Sequence, residues 1–403
     1  MSKKTIAPKL RFPKFIPQKD WNVNNLGNLT YVVSRKNTKG EKYPIYSINN
    51  KEGFLPQAEQ FEGVDSNSRG YDIKLYKIVD KNTFAYNPAR INVGSIGYSG
   101  ELHDIIISSL YVCFKTNNNI DDRFFQHFLS TSIFSKQVDN NAEGGIRSYL
   151  FYENFSKILS AFPDIEEQQK IADCFSSLDD LIAAENKKLE ALKTHKKGLM
   201  QKLFPAEGKT VPEWRFPEFR DSGEWKISPL REVCENLDSR RIPITEKDRK
   251  KGFTPYYGAS GVVDYVDGYI FDELLLCVSE DGANLVARTY PIAFNIYGKT
   301  WVNNHAHVLR FEKNYTQVMV ENYLNNIDLT DFLTGMAQPK LNRAKLDIVP
   351  IPLPINKEQI KIAECLSSLN EQITAQSNKI EALKLHKKGL MQGLFPSAQE
   401  VME

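Results

Sequence analysis

Several short stretches of this 403-residue chain carry residue types that could do chemistry. "YNPARIN", from Tyr86, puts Asn87 beside Pro88, the start of the kind of loop that holds an adenine for methylation. It lacks the second proline and the aromatic such a loop needs. "DYVDGYIFDE", from Asp264, gathers four carboxylates, which could suggest a metal-dependent nuclease. Acidic turn residues flanking a strand are the simpler reading. His305 and His307 alternate on a predicted strand and so share a face. Without a third ligand in view, they read as structural or base-contacting side chains rather than a zinc site. The five cysteines (Cys113, Cys174, Cys234, Cys277, Cys365) form no CxxC and no Cys/His ligand spacing. They read as reduced, buried thiols. No GxxxxGK[ST] loop is present to cradle a phosphate. None of these stretches makes a complete catalytic, metal-binding or phosphate-cradling motif.

Bulk charge gives little direction. Lys plus Arg (52) nearly balances Asp plus Glu (50), leaving a net charge of +2. Any nucleic-acid surface must come from a local cluster. The N-terminal "MSKKTIAPKLRFPKF" has positive charge but no apolar run behind it, so it is no signal peptide. Apolar runs such as "DELLLCV" are far too short to span a bilayer. A soluble cytoplasmic protein of two to four domains, with no membrane partner, is the expectation.

The elements that would position any site are fixed by a repeat. Pro163–Pro205 and Pro354–Pro396 are related by an offset of 191, with 27 of 43 positions identical. "LKTHKKGLMQKLFP" recurs as "LKLHKKGLMQGLFP". Ile171, Phe175, Leu178, Ile182, Glu185, Leu189, Leu192, Lys196, Leu199 and Leu203 are spaced 4,3,4,3, and the second copy keeps the pattern. A seam of period 3.5 is the signature of helices that pair side by side. Each helix would be roughly 55 Å long at ~1.5 Å per residue. Polar residues recur at seam positions, Glu185 with Gln376 and Lys196 with Lys387. They either fix register or face solvent or a partner.

A weaker repeat lies upstream: "PKLRFPKF" from Pro8 echoes "PEWRFPEF" from Pro212, and Trp21 echoes Trp225. The chain therefore divides into a first globular region (1–162), a helix (163–205), a second globular region (206–353) and a second helix (354–403). A compact second region has its ends close together, so the helices should run antiparallel. The fold class is α+β: two globular α/β domains separated by two long antiparallel coiled-coil helices, with a pseudo-twofold internal repeat. Strand-like runs in the globular regions include "KLYKIV", "DIIISSLYVCF", "YIFDELLLCV" and "AHVLRF". "DDRFFQHFLST" and "VMVENYLNNI" read as helices. The two regions align loosely. "INVGSIG" is matched with "LCVSEDG", "IISSLYVCF" with "VNNHAHVLRF", and "GGIRSYLFYENFSKI" with "GMAQPKLNRAKLDIV".

These stretches carry a resemblance. "EEQQKIADCFSSLDDLI" with "KEQIKIAECLSSLNEQI", the paired "KKGLMQ" segments, "GMAQPKLNRAKLDIVPIPLP" and "WVNNHAHVLRF" make the chain resemble the specificity subunit of Type I restriction–modification enzymes. The resemblance covers essentially the whole chain. It implies a non-catalytic subunit whose two globular parts are target-recognition domains, each reading one half of a bipartite double-stranded DNA sequence. It implies that the helix pair spaces them and docks two methyltransferase subunits carrying S-adenosylmethionine. Two motor–nuclease subunits that use ATP complete the complex. No cofactor is expected in this chain.

Base readout needs Arg for guanine, Asn or Gln for adenine, and small polar groups elsewhere, on protruding loops. In the first region the candidates are Arg35, Lys36, Arg90, Asn92, Ser95, Arg147 and Tyr149. In the second they are Arg240, Arg241, Tyr257, Lys299, Asn303, His305, Gln338, Lys340, Asn342 and Arg343. Some would hold phosphates and so position without specifying. "RSY" and "QPKLNR" rank first, because both immediately precede the return to a helix. The basic "LKTHKKGLMQK" and its twin could bind phosphates, but their retained apolar seam favours a protein dock. The rival reading of the whole chain is a coiled-coil scaffold that joins proteins and ignores DNA.

Overall fold

The computed structural model of the chain describes residues 5–61, 63, 65, 70–144, 148–335 and 338–402. It divides into two compact units, Met1–Ala184 with Ile380–Glu403, and Glu185–Lys379. The long helices are Ile165–Leu203 and Asn356–Leu394. Each is divided between the units. Glu166 and Glu167 lie in the first turn of one and Glu358 in the first turn of the other, where carboxylates suit the helix dipole. The segment after Pro396 holds a further short helix, Ala398–Met402.

The first unit contains three sheets. The central one is antiparallel, in the order Thr30–Val32, Val112–Thr116, Phe84–Tyr86, Ile96–Tyr98. A second has the order Gly53–Pro56, Ile45–Asn49, Ile105–Ile107, Lys77–Val79, with its middle pair parallel. In the third, Trp21–Asn25 pairs with Leu159–Phe162, the strand that leads into the first long helix. The helix Asp122–Leu129 starts where Asp121 accepts the amides of Arg123 and Phe124. It buries Phe124, Phe125, Phe128 and Leu129. Phe175 of the first long helix and Phe395, one residue past the end of the second, stack 6.2 Å apart in the same core. Lys387 bonds Asp179 at 2.5 and 2.7 Å. Rising numbers on one helix meet falling numbers on the other, so the segments run antiparallel.

The second unit repeats the plan. Glu235–Asn236, Ala306–Arg310, Leu275–Ser279 and Ala293–Ile296 form the central antiparallel sheet. Gly261–Val266, Lys251–Gly258, Lys299–Val302 and Phe271–Asp272 form the second, again with its middle pair parallel. Lys226–Pro229 pairs with Pro350–Leu353, the strand before the second long helix. Met200, Leu203 and Phe204 share a core with Trp225, Met319, Ile362 and Leu366. Nearer the other end of these segments Gln376 bonds Glu185 at 2.6 Å, so this pair is antiparallel too.

The same side chains tie each unit together. Arg11 grips Glu167 at 2.8 and 2.7 Å, and Arg215 grips Glu358 at 2.8 and 2.6 Å. Gln168 donates to the Pro163 carbonyl and Gln359 to the Pro354 carbonyl, both at 2.8 Å. Lys170 lies over Phe12 at 5.8 Å and Lys361 over Phe216 at 5.7 Å. One difference is local: the Trp21 indole donates to Glu167 at 3.3 Å, whereas that of Trp225 is buried with no hydrogen-bond partner among the described residues.

Register corrects one alignment drawn from the sequence. Leu275–Ser279 lies between its neighbours as Phe84–Tyr86 does, so "LCVSEDG" corresponds to the strand ending at Tyr86 and not to "INVGSIG". "INVGSIG" instead crosses a 3-10 turn at Ile91–Val93 and enters the edge strand Ile96–Tyr98. A glycine turn beside a short apolar run looks alike in both places, and only the pairing tells them apart.

Candidate nucleic-acid interface

Each unit builds a loop at the same place. In the first, Glu143 and Tyr149 exchange backbone bonds of 2.8 and 2.7 Å; in the second, Thr334 and Lys340 exchange two of 2.8 Å. Both pairs are separated by the repeat offset of 191, since 334 − 143 = 340 − 149 = 191. The next residue is fully buried in each case, Leu150 and Leu341. Leu150 N donates to the Pro88 carbonyl at 3.0 Å, and Leu341 N to the Glu280 carbonyl at 2.8 Å. Each loop is thereby fastened just past the end of the same central strand. Arg147, one of the first region's candidates, lies outside the described residues.

In the first unit this fastening brings Tyr149 to the turn that carries Arg90. Arg90 and Ser95 line a polar cleft of about 450 Å³ with Ser47, Asn49, Lys51 and Gln60. Arg90 and Asn92 are exposed, whereas Ser95 is buried and its hydroxyl donates to the Ile48 carbonyl at 3.4 Å. Tyr111 backs the cleft. Burial raises its phenol, partly offset by the bond from the Ile48 amide and the charge of Arg90. Tyr149 stacks on Phe151 with centroids 5.9 Å apart. Arg35 and Lys36 sit apart from the cleft: Arg35 pairs with Asp80 at 3.1 Å, and Lys36 forms an isolated bridge with Lys77.

In the second unit most candidates converge. Lys340 pairs with Glu280 at 3.2 Å, and Arg241 with Glu280 at 2.8 Å. His305 faces Asp281 at 2.8 Å, and its amide donates to Asn303. Asn303 N donates to the Tyr257 carbonyl at 3.0 Å, which ties in the hairpin strand. Lys340 and His305 are exposed, Arg241 and Tyr257 half-buried, and Asn303 buried. Asn342 caps the short helix Arg343–Asp347 by accepting from Lys345 N, and Arg343 reaches Asp347 at 3.6 Å. Gln338 is exposed near the loop's closure. Arg240 and Lys299 lie elsewhere, Arg240 over Phe271 at 4.9 Å and Lys299 over Tyr269 at 4.8 Å.

Sequence reasoning missed the residues around these candidates. Asn49 ends a strand of a hairpin whose turn carries Asn50 and Lys51, and "NNKEG" between apolar alternations is the signal that could have found them. Beneath Lys340 it missed Glu280 and Asp238, which no local pattern singles out; His307 was noticed only for its alternation with His305. Burial raises the carboxyls of Glu280 and Asp238, but the bonds from Arg241 to Glu280 and from His307 to Asp238 outweigh it and hold both below their ordinary values.

Other chemistry finds no support among the described residues. Asn87 accepts the Ala89 amide within a turn. Asp264 is paired with Arg249 and Glu273 with Arg310. No group of three or more His, Cys, Asp or Glu could hold a metal ion. The five cysteines are free; burial pushes the thiol of Cys113 up to about 11. No helix is long and apolar enough to cross a membrane.

Two α/β units of one plan, each with the same pair of closing backbone bonds and each including segments of both long helices, define an internally duplicated protein. Residues 18–194 and 222–385 match the family described as Type I restriction modification DNA specificity domain. The matches span well over half of the chain, and the chain belongs to that family. A putative type I restriction enzyme specificity subunit of Haemophilus influenzae is 36% identical over 152 residues, 37% of this chain and 38% of that protein. The specificity subunit of the MjaVIII type I restriction enzyme of Methanocaldococcus jannaschii is 25% identical over 92% of this chain and 91% of that one. The crystal structure of a type I system S subunit from M. genitalium covers 97% of this chain and 100% of its own, with a TM-score of 0.62 at 14% identity. A chain from a structural study of complex assembly and conformational transition in the type I system has a TM-score of 0.56 at 14% identity, over 94% and 98% of the two chains. At such identity the likeness speaks for the fold.

Proposed function

We propose that this specificity subunit reads a bipartite double-stranded DNA target, one half-site per unit. The observation that carries the reading is the loop built twice, closed by the same pair of backbone bonds and fastened beside the same strand end. Base-reading side chains differ between the two copies: Arg90, Asn92 and Tyr149 in one, His305, Gln338 and Lys340 in the other. Unlike readers on a common frame suit unlike half-sites. Arg35, Lys36, Arg240, Lys299 and Arg343 serve as phosphate contacts that orient each unit. Lys36 and Arg240 hold matching places, three residues beyond Val33 and Leu237, whose amides bond the Cys113 and Val308 carbonyls.

On this reading the chain is non-catalytic and acts in the cytoplasm. The helix pair sets the unread gap and docks two methyltransferase subunits. S-adenosylmethionine and ATP belong to the methyltransferase and motor–nuclease subunits. A mobility-shift assay with the methyltransferase subunits present tests it. Binding should weaken when either half-site is scrambled. Binding indifferent to sequence would overturn the reading in favour of a protein-joining scaffold.

A further inference from the structure

His307 is 1% exposed, and both of its ring nitrogens face acceptors. Nδ1 lies 2.6 Å from Oδ2 of Asp238, and Nε2 lies 2.7 Å from the Leu341 carbonyl. A carbonyl oxygen can only accept. The Asp238 carboxyl, held below its ordinary value, is an anion that also accepts from the Val308 amide at 2.9 Å. Both nitrogens must therefore donate, and only the imidazolium has two N–H groups. The neutral ring would turn a lone pair on the Leu341 carbonyl inside the core, where an unmade bond is costly.

The groups around this ring form one network. Glu280, from the end of the central strand, lies 3.9 Å from Nδ1. Arg241 spans Glu280, the Ala306 carbonyl and Asp238. Lys340 closes on Glu280, and the exposed His305–Asp281 pair lies at the rim. The Cys277 thiol beneath is pushed up by burial and stays neutral. Leu341 is thus held twice, by its amide on Glu280 and by its carbonyl on His307.

Among the described residues, the first unit has no such ion at the corresponding places. His307 lies opposite Val278 as Val112 lies opposite Tyr86. Asp238 follows Leu237 as Ser34 follows Val33. The corresponding places are Val112 and Ser34.

We infer that His307 is a positioning residue for readout by the second unit: its protonated ring fastens the closing residues Lys340 and Leu341 of the recognition loop. The inference rests on the reading of the chain as a DNA-recognition subunit. Removing the ring unfastens Leu341 in the second unit and leaves the first unit unchanged.

Two measurements test it. In nitrogen-15 spectra of the full chain, with His307→Gln for assignment, both ring nitrogens of His307 should carry protons at neutral pH; a neutral ring overturns the inference. Affinities of the wild type and of His307→Gln for DNA scrambled at either half-site, with methyltransferase subunits present, are then compared at neutral pH. Discrimination at one half-site should fall about tenfold in the variant, while the other holds. Asp238→Ser with His307→Val, which copies the first unit's residues, should likewise keep binding to the other half-site. Parallel loss at both half-sites, or at neither, overturns the positioning role. Binding that ignores sequence in the wild type overturns the recognition reading itself, while the ring spectra still report the protonation of His307.

Discussion

Glu185 and Gln376 hold the same place in the two copies of the helical repeat, and they are bonded to each other. Gln376 Nε2 donates to the Glu185 carboxylate at 2.6 Å and to its carbonyl at 2.9 Å. Lys379 adds a bond of 2.5 Å to the other carboxylate oxygen. Equivalent residues meet in this way where the two helix segments lie antiparallel. The polar seam position is a register pin, which settles one of the two readings left open by the sequence.

The Glu185 carboxyl is held below its ordinary value by the bond from Gln376 and then by that from Lys379. A carboxyl depressed in the folded state stabilises above its unfolded pKa, about 4.3. That contribution is lost as pH falls through the folded value. Glu185→Gln should therefore unfold at a midpoint less sensitive to acid than the wild type. Urea midpoints taken at neutral pH and below about pH 4 would check this; an unchanged acid slope would refute it.

The Arg215–Glu358 pair of the second unit is deeply buried, with side chains 6% and 1% exposed. Arg215→Ala strands a buried carboxylate and should cost about 3 kcal/mol of stability. Replacing both residues by apolar ones of similar volume should cost less, because no charge is left unpaired. Denaturant melts of the two variants give the comparison.

Arg90 and Lys340 serve different units, so their effects on DNA should separate. Arg90→Ala should relax discrimination at one half-site and Lys340→Ala at the other, each by about 1–3 kcal/mol if a base contact is lost. A change spread evenly over all sequences, with a smaller salt slope, would instead mark a phosphate contact. Competition binding with singly substituted half-sites distinguishes the two outcomes.

Gly252 sits at a bulge where both Lys251 and Thr254 register with Val266. A Cβ there would lie 2.3 Å from the Val266 carbonyl oxygen and 2.5 Å from the Asp267 amide nitrogen. Both obstacles are backbone and cannot swing aside. Gly252→Ala should destabilise the second unit by about 1–3 kcal/mol, while Gly261→Ser, in open space but at φ 109°, tests backbone strain alone. Thermal melts of both variants would report the difference.

The long helices were legible because their period and their repetition agree over 43 positions at one offset. The globular parts were less so because no single offset holds there. Val33 and Leu237 differ by 204, Tyr86 and Val278 by 192, Val112 and His307 by 195, and Tyr149 and Lys340 by 191. Insertions fall in loops, which sheets tolerate, and strands of three residues carry too few side chains to show their register. The recognition loops were found because they adjoin the helices. The ion network under Lys340 was not, because Asp238, Glu280, His307 and Leu341 come from four separated segments that only the sheet assembles.

The division of the helices between the units also decides when each can be completed. Glu185–Lys379 is continuous, so the second unit can close as soon as its own stretch has left the ribosome. The first lacks its floor until Phe395 arrives to meet Phe124 and Phe175, at 5.2 and 6.2 Å. Phe395 is made 395 − 175 = 220 residues after Phe175, a wait of roughly 10–45 s at about 5–20 residues per second. The half of the molecule that is translated first is thus finished last, with an aromatic core left open to solvent or chaperones in the meantime.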